Sequence, residues 1–476
     1  LVLALVMSMS LVTISNAAFK DADSIDYKEA VDVMNAVGVF VGDEKGNFNA
    51  KENLTREQAA KIIAYLELGE KAADALVGSA TFTDVAATRW SAGFVSYCAQ
   101  AGVVSGYDGK FDPAGQLTAL QFGKMLLVEI GYDAKAAGMV GTDWAINTSK
   151  LLATTGLMNG IDGSVNQVLT REKAAQMTLN ALKTPTVEYA TKGSNITVNG
   201  AEINFGASTP TYVTNTIAKE QTISKDKLTN SGEYTIELGE KLYKKLVLSD
   251  TTDAFGRPTR TWTFENKKVG EYVKDADLEY TAGTDYEVVY ADLGLTKSAK
   301  ITEYYVDGKT TTPAAASVTK NDDDHEFGAN GVLTQVWYDD DNNTVIVTEI
   351  NTYVGKISAV TKASGSDERS VTINGLTKPG TLNKYETESF EKSDLISYTA
   401  AYDKATGRYD VQSAAILEKS TTGLLTKWNG KAIVGTVGNS ANNFTVDSET
   451  YKYSANFFVV DENGAASQIY NFDVNK

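Results

Sequence analysis

Apolar residues recur at helical spacing three times in the first third of the chain. Tyr27, Ala30, Val31, Met34 and Val37 form one stripe. Trp90, Phe94, Tyr97, Cys98 and Ala101 form a second, and Trp144, Thr148, Leu151, Leu152 and Thr155 a third. Each stripe runs into a Gly-x-x-x-Gly segment, at Gly38/Gly42, Gly102/Gly106 and Gly156/Gly160, whose first glycine stands where a left-handed helix end is needed. Trp90 and Trp144 lie twelve residues before that glycine, and Asp26 holds the place in the first copy. A polar turn and a second helix start follow: Leu54-Thr55-Arg56-Glu57-Gln58, Leu117-Thr118-Ala119-Leu120-Gln121 and Leu169-Thr170-Arg171-Glu172-Lys173. Threonine is the N-cap in all three. Thr55/Gln58 and Thr118/Gln121 have capping-box spacing; Lys173 removes the box from the third, although Glu172 still suits the helix dipole. Phe19-Lys20-Asp21 and Phe82-Thr83-Asp84 open the first two copies, with only Val140–Asp143 near that place in the third.

Past Lys183-Thr184-Pro185 the period falls to two. Tyr234–Leu238, Thr261–Phe264, Tyr286–Tyr290, Thr344–Thr348 and Val371–Ile373 read as strands, punctuated by Asn199-Gly200, Asp307-Gly308 and Asn374-Gly375 turns. Many short strands without clear intervening helices predict antiparallel, sandwich- or barrel-like all-β domains. A soft boundary near residue 300 divides the region into 190–300 and 301–476. A weak duplication relates Gly355–Ile357 and Val371–Ile373 to Gly435–Val437 and Phe444–Val446.

Leu1–Ile14 is apolar and is followed by Ser15-Asn16-Ala17, the pattern of a secretory h-region and cleavage site. Residues 1–17 therefore read as a signal peptide whose true start is missing, with the mature chain beginning near Ala18. No other segment is apolar enough to span a bilayer.

Composition narrows the chemistry. The 476 residues carry 44 Lys+Arg against 61 Asp+Glu, a net charge of −17, which disfavours nucleic acid and anionic membrane surfaces as partners. One cysteine, Cys98, excludes an internal disulfide and sits on an apolar stripe; one histidine, His325, excludes a His-rich metal site. No nucleophile elbow, zinc-type cluster or phosphate loop is present, so no catalytic residue is assigned. Asp322–Asp324 and Asp339–Asp341 have the oxygen chemistry Ca²⁺ requires but not the spacing of a known calcium loop; they read as solvated hairpin turns or as a Ca²⁺ site, the only cofactor considered.

The order Phe-x-Asp, aromatic helix, Gly-x-x-x-Gly, polar turn and Leu-Thr-Arg-Glu resembles the S-layer homology (SLH) domain, in three copies at 18–70, 80–135 and 138–183. The resemblance implies a pseudo-threefold helical assembly whose grooves bind the secondary cell-wall polysaccharide of Gram-positive-type bacteria, with the Thr-Arg-Glu arginine meeting a glycan carboxylate such as a pyruvate ketal. A guanidinium is a planar, permanently charged fork suited to that carboxylate. The matching positions are Arg56 and Arg171; Ala119 stands in the second copy. Asp21 and Asp84 are either helix caps or ligand contacts, and Trp90 and Trp144 either core anchors or sugar-stacking platforms. Gly42, Gly106 and Gly160 are either conformational or groove-lining.

The chain as a whole then reads as a secreted, wall-anchored surface-layer protein that self-associates, its β-domains forming the exposed or lattice-building part. An SLH-anchored polysaccharide hydrolase and an adhesin are the alternatives.

Overall fold

The computed structural model describes residues 19–416, apart from 80, 192, 199–200, 216–222, 224–232, 330–331 and 366, together with four short strands between 443 and 468. The expected signal peptide, the Asn199-Gly200 turn and Gly435–Val437 lie outside the described residues. No helix among those described is long and apolar enough to cross a membrane. The chain divides into two units. One holds the described residues up to Asp250 together with Arg260–Tyr272; the other holds Thr251–Thr259 and those from Val273 on.

The first unit is built mainly from helices α1 (Lys28–Ala36), α2 (Arg56–Leu68), α3 (Glu70–Asp74), α4 (Ala92–Gln100), α5 (Ala119–Ile130), α6 (Trp144–Thr155) and α7 (Arg171–Leu182). Both capping boxes form. Thr55 and Thr118 each accept the backbone N–H of the glutamine three residues on, and that glutamine's side chain accepts theirs. Thr170 caps nothing, and its buried hydroxyl has no hydrogen-bond partner. Gly38, Gly102 and Gly156 have φ of +78°, +75° and +70°, the left-handed conformation that closes α1, α4 and α6.

At the centre, three backbone hydrogen bonds close a cycle: Leu54 N–H to Leu169 C=O (2.8 Å), Leu169 N–H to Leu117 C=O (2.9 Å) and Leu117 N–H to Leu54 C=O (3.0 Å). The three leucine side chains are buried. Each leucine precedes an N-cap threonine, so the cycle gathers the N-termini of α2, α5 and α7. Their first N–H groups, which have no partner within their own helix, donate outward: Arg56 to Gly115 C=O, Ala119 to Gln167 C=O and Arg171 to Glu52 C=O.

The buried core of this unit does not stop at residue 183. Leu238 on α8 (Leu238–Leu242), then Leu246, Trp262, Val269 and Tyr272 from the strands Leu246–Thr252, Pro258–Phe264 and Lys267–Val273, belong to the same cluster as the helices. Polar anchors run beside it. Glu29 on α1 accepts hydrogen bonds from Arg260 Nη2 (2.8 Å) and Trp262 Nε1 (2.7 Å), and Asp32 accepts from the Tyr272 hydroxyl (2.8 Å).

The second unit contains a six-stranded sheet in the order Leu278–Tyr280, Leu333–Asp339, Thr344–Ile350, Ala299–Val306 and Lys309–Thr310, with Ser317–Val318 also paired to Ala299–Val306. A five-stranded antiparallel sheet follows, in the order Lys384–Glu386, Ser370–Asn374, Tyr353–Thr361, Leu395–Asp403 and Arg408–Ile416. No sheet among the described residues closes into a barrel.

Two expectations are corrected. Ala299–Val306 and Thr344–Ile350 pair in parallel, not antiparallel. The long connection between them lets the hairpin Leu333–Ile350 dock by its second strand. Tyr286–Asp292 is helix α9, not a strand. Tyr286 and Val289, three apart, are fully buried, whereas Val288, which a strand would place beside Tyr286, is 39% exposed. Five residues of apparent alternation fit both periods, and burial selects the helical one.

Candidate functional site

The two motif arginines adopt one geometry twice. Arg56 Nε donates to the Phe111 carbonyl (2.7 Å) and Nη2 to that of Ser105 (3.2 Å), with the guanidinium 4.6 Å from the Phe111 ring centre. Arg171 Nε donates to Phe48 (3.0 Å) and Nη2 to Val41 (3.1 Å), 5.0 Å from the Phe48 ring. Each arginine therefore leaves its own helix start to grip the glycine-bearing loop of another segment. Both are half-buried rather than surface residues. Burial pulls both pKa values below the ordinary arginine value, opposed by Asp112 and Asp84 at Arg56 and by Glu52, Asp43 and Asp21 at Arg171.

The loops are built alike. Asp21 accepts the N–H groups of Phe48 and Asn49 (both 2.7 Å), and Asp84 those of Phe111 (2.8 Å) and Asp112 (2.7 Å). Both oxygens of each carboxylate are thus engaged by backbone, at loop amides rather than at a helix start. A Cβ on Gly42 would stand 2.8 Å from the Phe19 ring, and one on Gly106 would stand 2.6 Å from the Phe82 ring; glycine is what lets each Phe-x-Asp phenylalanine close on its loop. Gly160 differs: it has φ +71° and open space around it.

Arg171, Gly42 and Trp90 line one groove of about 290 Å³ with Val41, Asp43, Glu52, Gln58 and Lys61. All three sequence segments contribute to it. Trp90 is 54% exposed, so it is a wall of the groove and not a core anchor. Asp43 is fully exposed, yet hydrogen bonds from the Asn47 amide and the Asn49 side chain hold its carboxyl down at about 2. The Arg56 loop carries counterparts of the same parts. Trp144, half-buried against the core, lies 5.8 Å from Lys124 Nζ, and Gly106 stands beside the gripped Ser105.

The third combination has lost its chemistry. Ala119 replaces the arginine, Asp26 the tryptophan and Gln176 the lysine. That Asp26 and the third loop meet is shown by the Asp162 N–H, which donates to the hydroxyl of neighbouring Tyr27 (3.4 Å). Asp26 itself is tied by its N–H to Glu172 and through Lys51, which bridges the two acids.

Sequence reasoning missed Lys61, Asp43 and Glu52, and it read Glu172 only as a dipole complement. Glu57 is buried and takes a two-pronged hydrogen bond from Arg89 (2.8 Å each) plus one from the Ser91 hydroxyl (2.5 Å). Burial raises its pKa, but Arg89 and Ser91 outweigh that and hold it below the ordinary value. The glutamate of the Thr-Arg-Glu motif is therefore a joint between segments, and its position beside the arginine was the available signal.

The acidic clusters form turns. Asp339 accepts the Asn342 N–H (3.1 Å) and side-chain amide (2.7 Å), and Asp339–Asp341 gather exposed carboxylates within 4.8 Å. Asp322 pairs with His325 at 2.8 Å.

Helix pairs closed on one another, with a cation gripping each neighbouring loop, define a repeat-built binding module. Residues 18–60 and 81–121 match the family model of the S-layer homology domain, and the chain is an SLH-domain protein. It is 24% identical over 389 residues to the "Surface layer protein" of Brevibacillus choshinensis, covering 77% of this chain and 33% of that one. The "Cell surface protein" of Thermoanaerobacter kivui is 22% identical over 74% of this chain and 40% of its own length. The "Middle cell wall protein" of Brevibacillus brevis is 26% identical over 36% and 16%. The chain thus spans at most two fifths of these relatives.

Proposed function

We propose that this chain is a non-enzymatic surface-layer protein. Its SLH repeats, with 138–183 as the third, form a pseudo-threefold anchor for the anionic secondary polysaccharide of a Gram-positive-type cell wall. The observation that carries this reading is the groove that joins Arg171, Lys61, Gly42 and Trp90, because two cations beside an exposed indole can hold a carboxylate and a sugar face together. The surrounding chain is acidic, so capture relies on these local cations. The cyclic hydrogen bonding of Leu54, Leu117 and Leu169 supports a threefold assembly in which only the Arg56 and Arg171 grooves are equipped. Two grooves on one rigid module give avidity on a repeating polymer.

The second unit and the residues beyond it form the part displayed outside the wall, where copies self-associate. The names of the relatives support a location at the cell surface. Co-sedimentation of the full chain with purified sacculi tests the reading. Binding to untreated sacculi, lost when the secondary polysaccharide is chemically removed, is the expected result; equal binding to stripped sacculi refutes it.

A further inference from the structure

The two equipped grooves differ at one place, and the difference implies different ligands. Directly after the glycine, the first loop has Asp43 and the second Tyr107. The two positions are structurally equivalent: Asp43 N–H donates to Asn47 C=O (2.8 Å) and Tyr107 N–H to Lys110 C=O (2.9 Å), each opening its turn. Both follow a residue whose neighbour is gripped by a motif arginine, Val41 by Arg171 and Ser105 by Arg56. Asp43 lines the Arg171 groove, and its carboxylate is turned into its own loop, accepting from Lys45, Asn47 and Asn49. Tyr107 does the opposite. Its side chain is 89% exposed, with no ring or hydroxyl partner among the described residues. Burying such a ring on folding would have been favourable, so a bare tyrosine at the mouth of a basic groove stands as an unfilled stacking surface.

Resting on the anchoring function above, we propose that the Arg56 groove takes two consecutive sugars of the wall polysaccharide. An anionic sugar sits at Arg56 and Lys124, and the apolar face of an adjoining neutral pyranose lies on Tyr107. The Arg171 groove takes the anionic sugar alone. Asp43 offers no flat apolar surface there, and its charge offsets one of the groove's cations. The anchor therefore reads an internal stretch of the polymer through one groove and a single anionic residue through the other.

Calorimetry on the full chain with defined probes tests this. The probes are a pyruvate-ketal hexosamine methyl glycoside and its two disaccharides, extended by one neutral hexosamine on either side. Arg171→Ala isolates the Arg56 groove, and Arg56→Ala isolates the other. In the Arg171→Ala chain one disaccharide should bind about five- to tenfold tighter than the monosaccharide, the scale of an interfacial tyrosine. Adding Tyr107→Ala should abolish that gain, and Tyr107→Phe should keep it. In the Arg56→Ala chain all probes should bind alike. A gain that survives Tyr107→Ala, or an equal gain in both grooves, overturns the proposal. So does wild-type binding of the wall polysaccharide with no probe bound. If the wild type binds neither polysaccharide nor probes, the anchoring reading itself fails.

Discussion

Asp84 spends both carboxylate oxygens on the N–H groups of Phe111 and Asp112, in the loop that Arg56 then grips. Removing it leaves two amides without their acceptor. We expect Asp84→Ala to cost about 1–3 kcal/mol, measured by urea unfolding. The sequence showed this aspartate at a fixed place in the motif but not its partners, because 27 residues separate it from Phe111. Arg56 and Arg171 were legible as functional candidates through the repeat; their half-burial and carbonyl partners were not, since those carbonyls belong to other segments. Glu129 was not legible at all. Burial, reinforced by Glu67 and opposed by Lys241, lifts its pKa from 4.5 to about 8. A raised folded pKa means the carboxyl is tolerated while protonated, and stability is lost as pH rises from the ordinary carboxylate value through about 8. Glu129→Gln should therefore raise the melting temperature at about pH 9 and change it little at about pH 4. An equal shift at both would place the effect in packing rather than ionisation.

Helix starts and ends were the best-read features at the scale of elements. Both capping boxes and the three left-handed glycines stand where local chemistry requires them, because those signals act within four residues. Tyr286–Asp292 was misread because the segment is short and its burial is decided by the sheet it packs on. The parallel strand pair was illegible for the same reason: pairing partners are chosen by docking, not by local sequence. The core of the first unit passes from α1 and α7 into Trp262, Val269 and Tyr272. A fragment ending at 185 would therefore expose the apolar surface that these residues cover and leave Glu29 without Arg260. We expect residues 18–272 to melt well above 18–185 in parallel thermal scans; equal melting would show that the strands contribute nothing to the helical fold. Burial tends to raise the Glu29 pKa, but Arg260, Lys183 and Trp262 together hold it below 4.5, as Arg89 and Ser91 do for Glu57. Depressed folded values stabilise above pH 4.5 and lose that contribution as pH falls through them. The first unit should thus lose stability progressively below about pH 4.5, and Glu29→Gln should flatten that part of the profile.

Three segments of one chain share each groove of the whole molecule, so the repeat pattern announced the parts without announcing their combination. Ala119, Asp26 and Gln176 look like unrelated departures in the sequence; the cycle through Leu54, Leu117 and Leu169 brings them to one groove and leaves two others intact. That arrangement is the central claim, and calorimetry of wall polysaccharide against the full chain, Arg56→Ala, Arg171→Ala and the double variant addresses it most directly. Removing a charge-assisted hydrogen bond to the glycan costs about 1.5–3 kcal/mol, so each single variant should bind roughly ten- to a hundredfold more weakly. Arg→Lys should recover only part of that, since the point charge survives and the fork does not. Circular dichroism must show each variant folded, because these side chains also hold their loops. Near-complete loss of binding in a folded double variant is the result the account predicts; wild-type affinity in that same folded protein would contradict it.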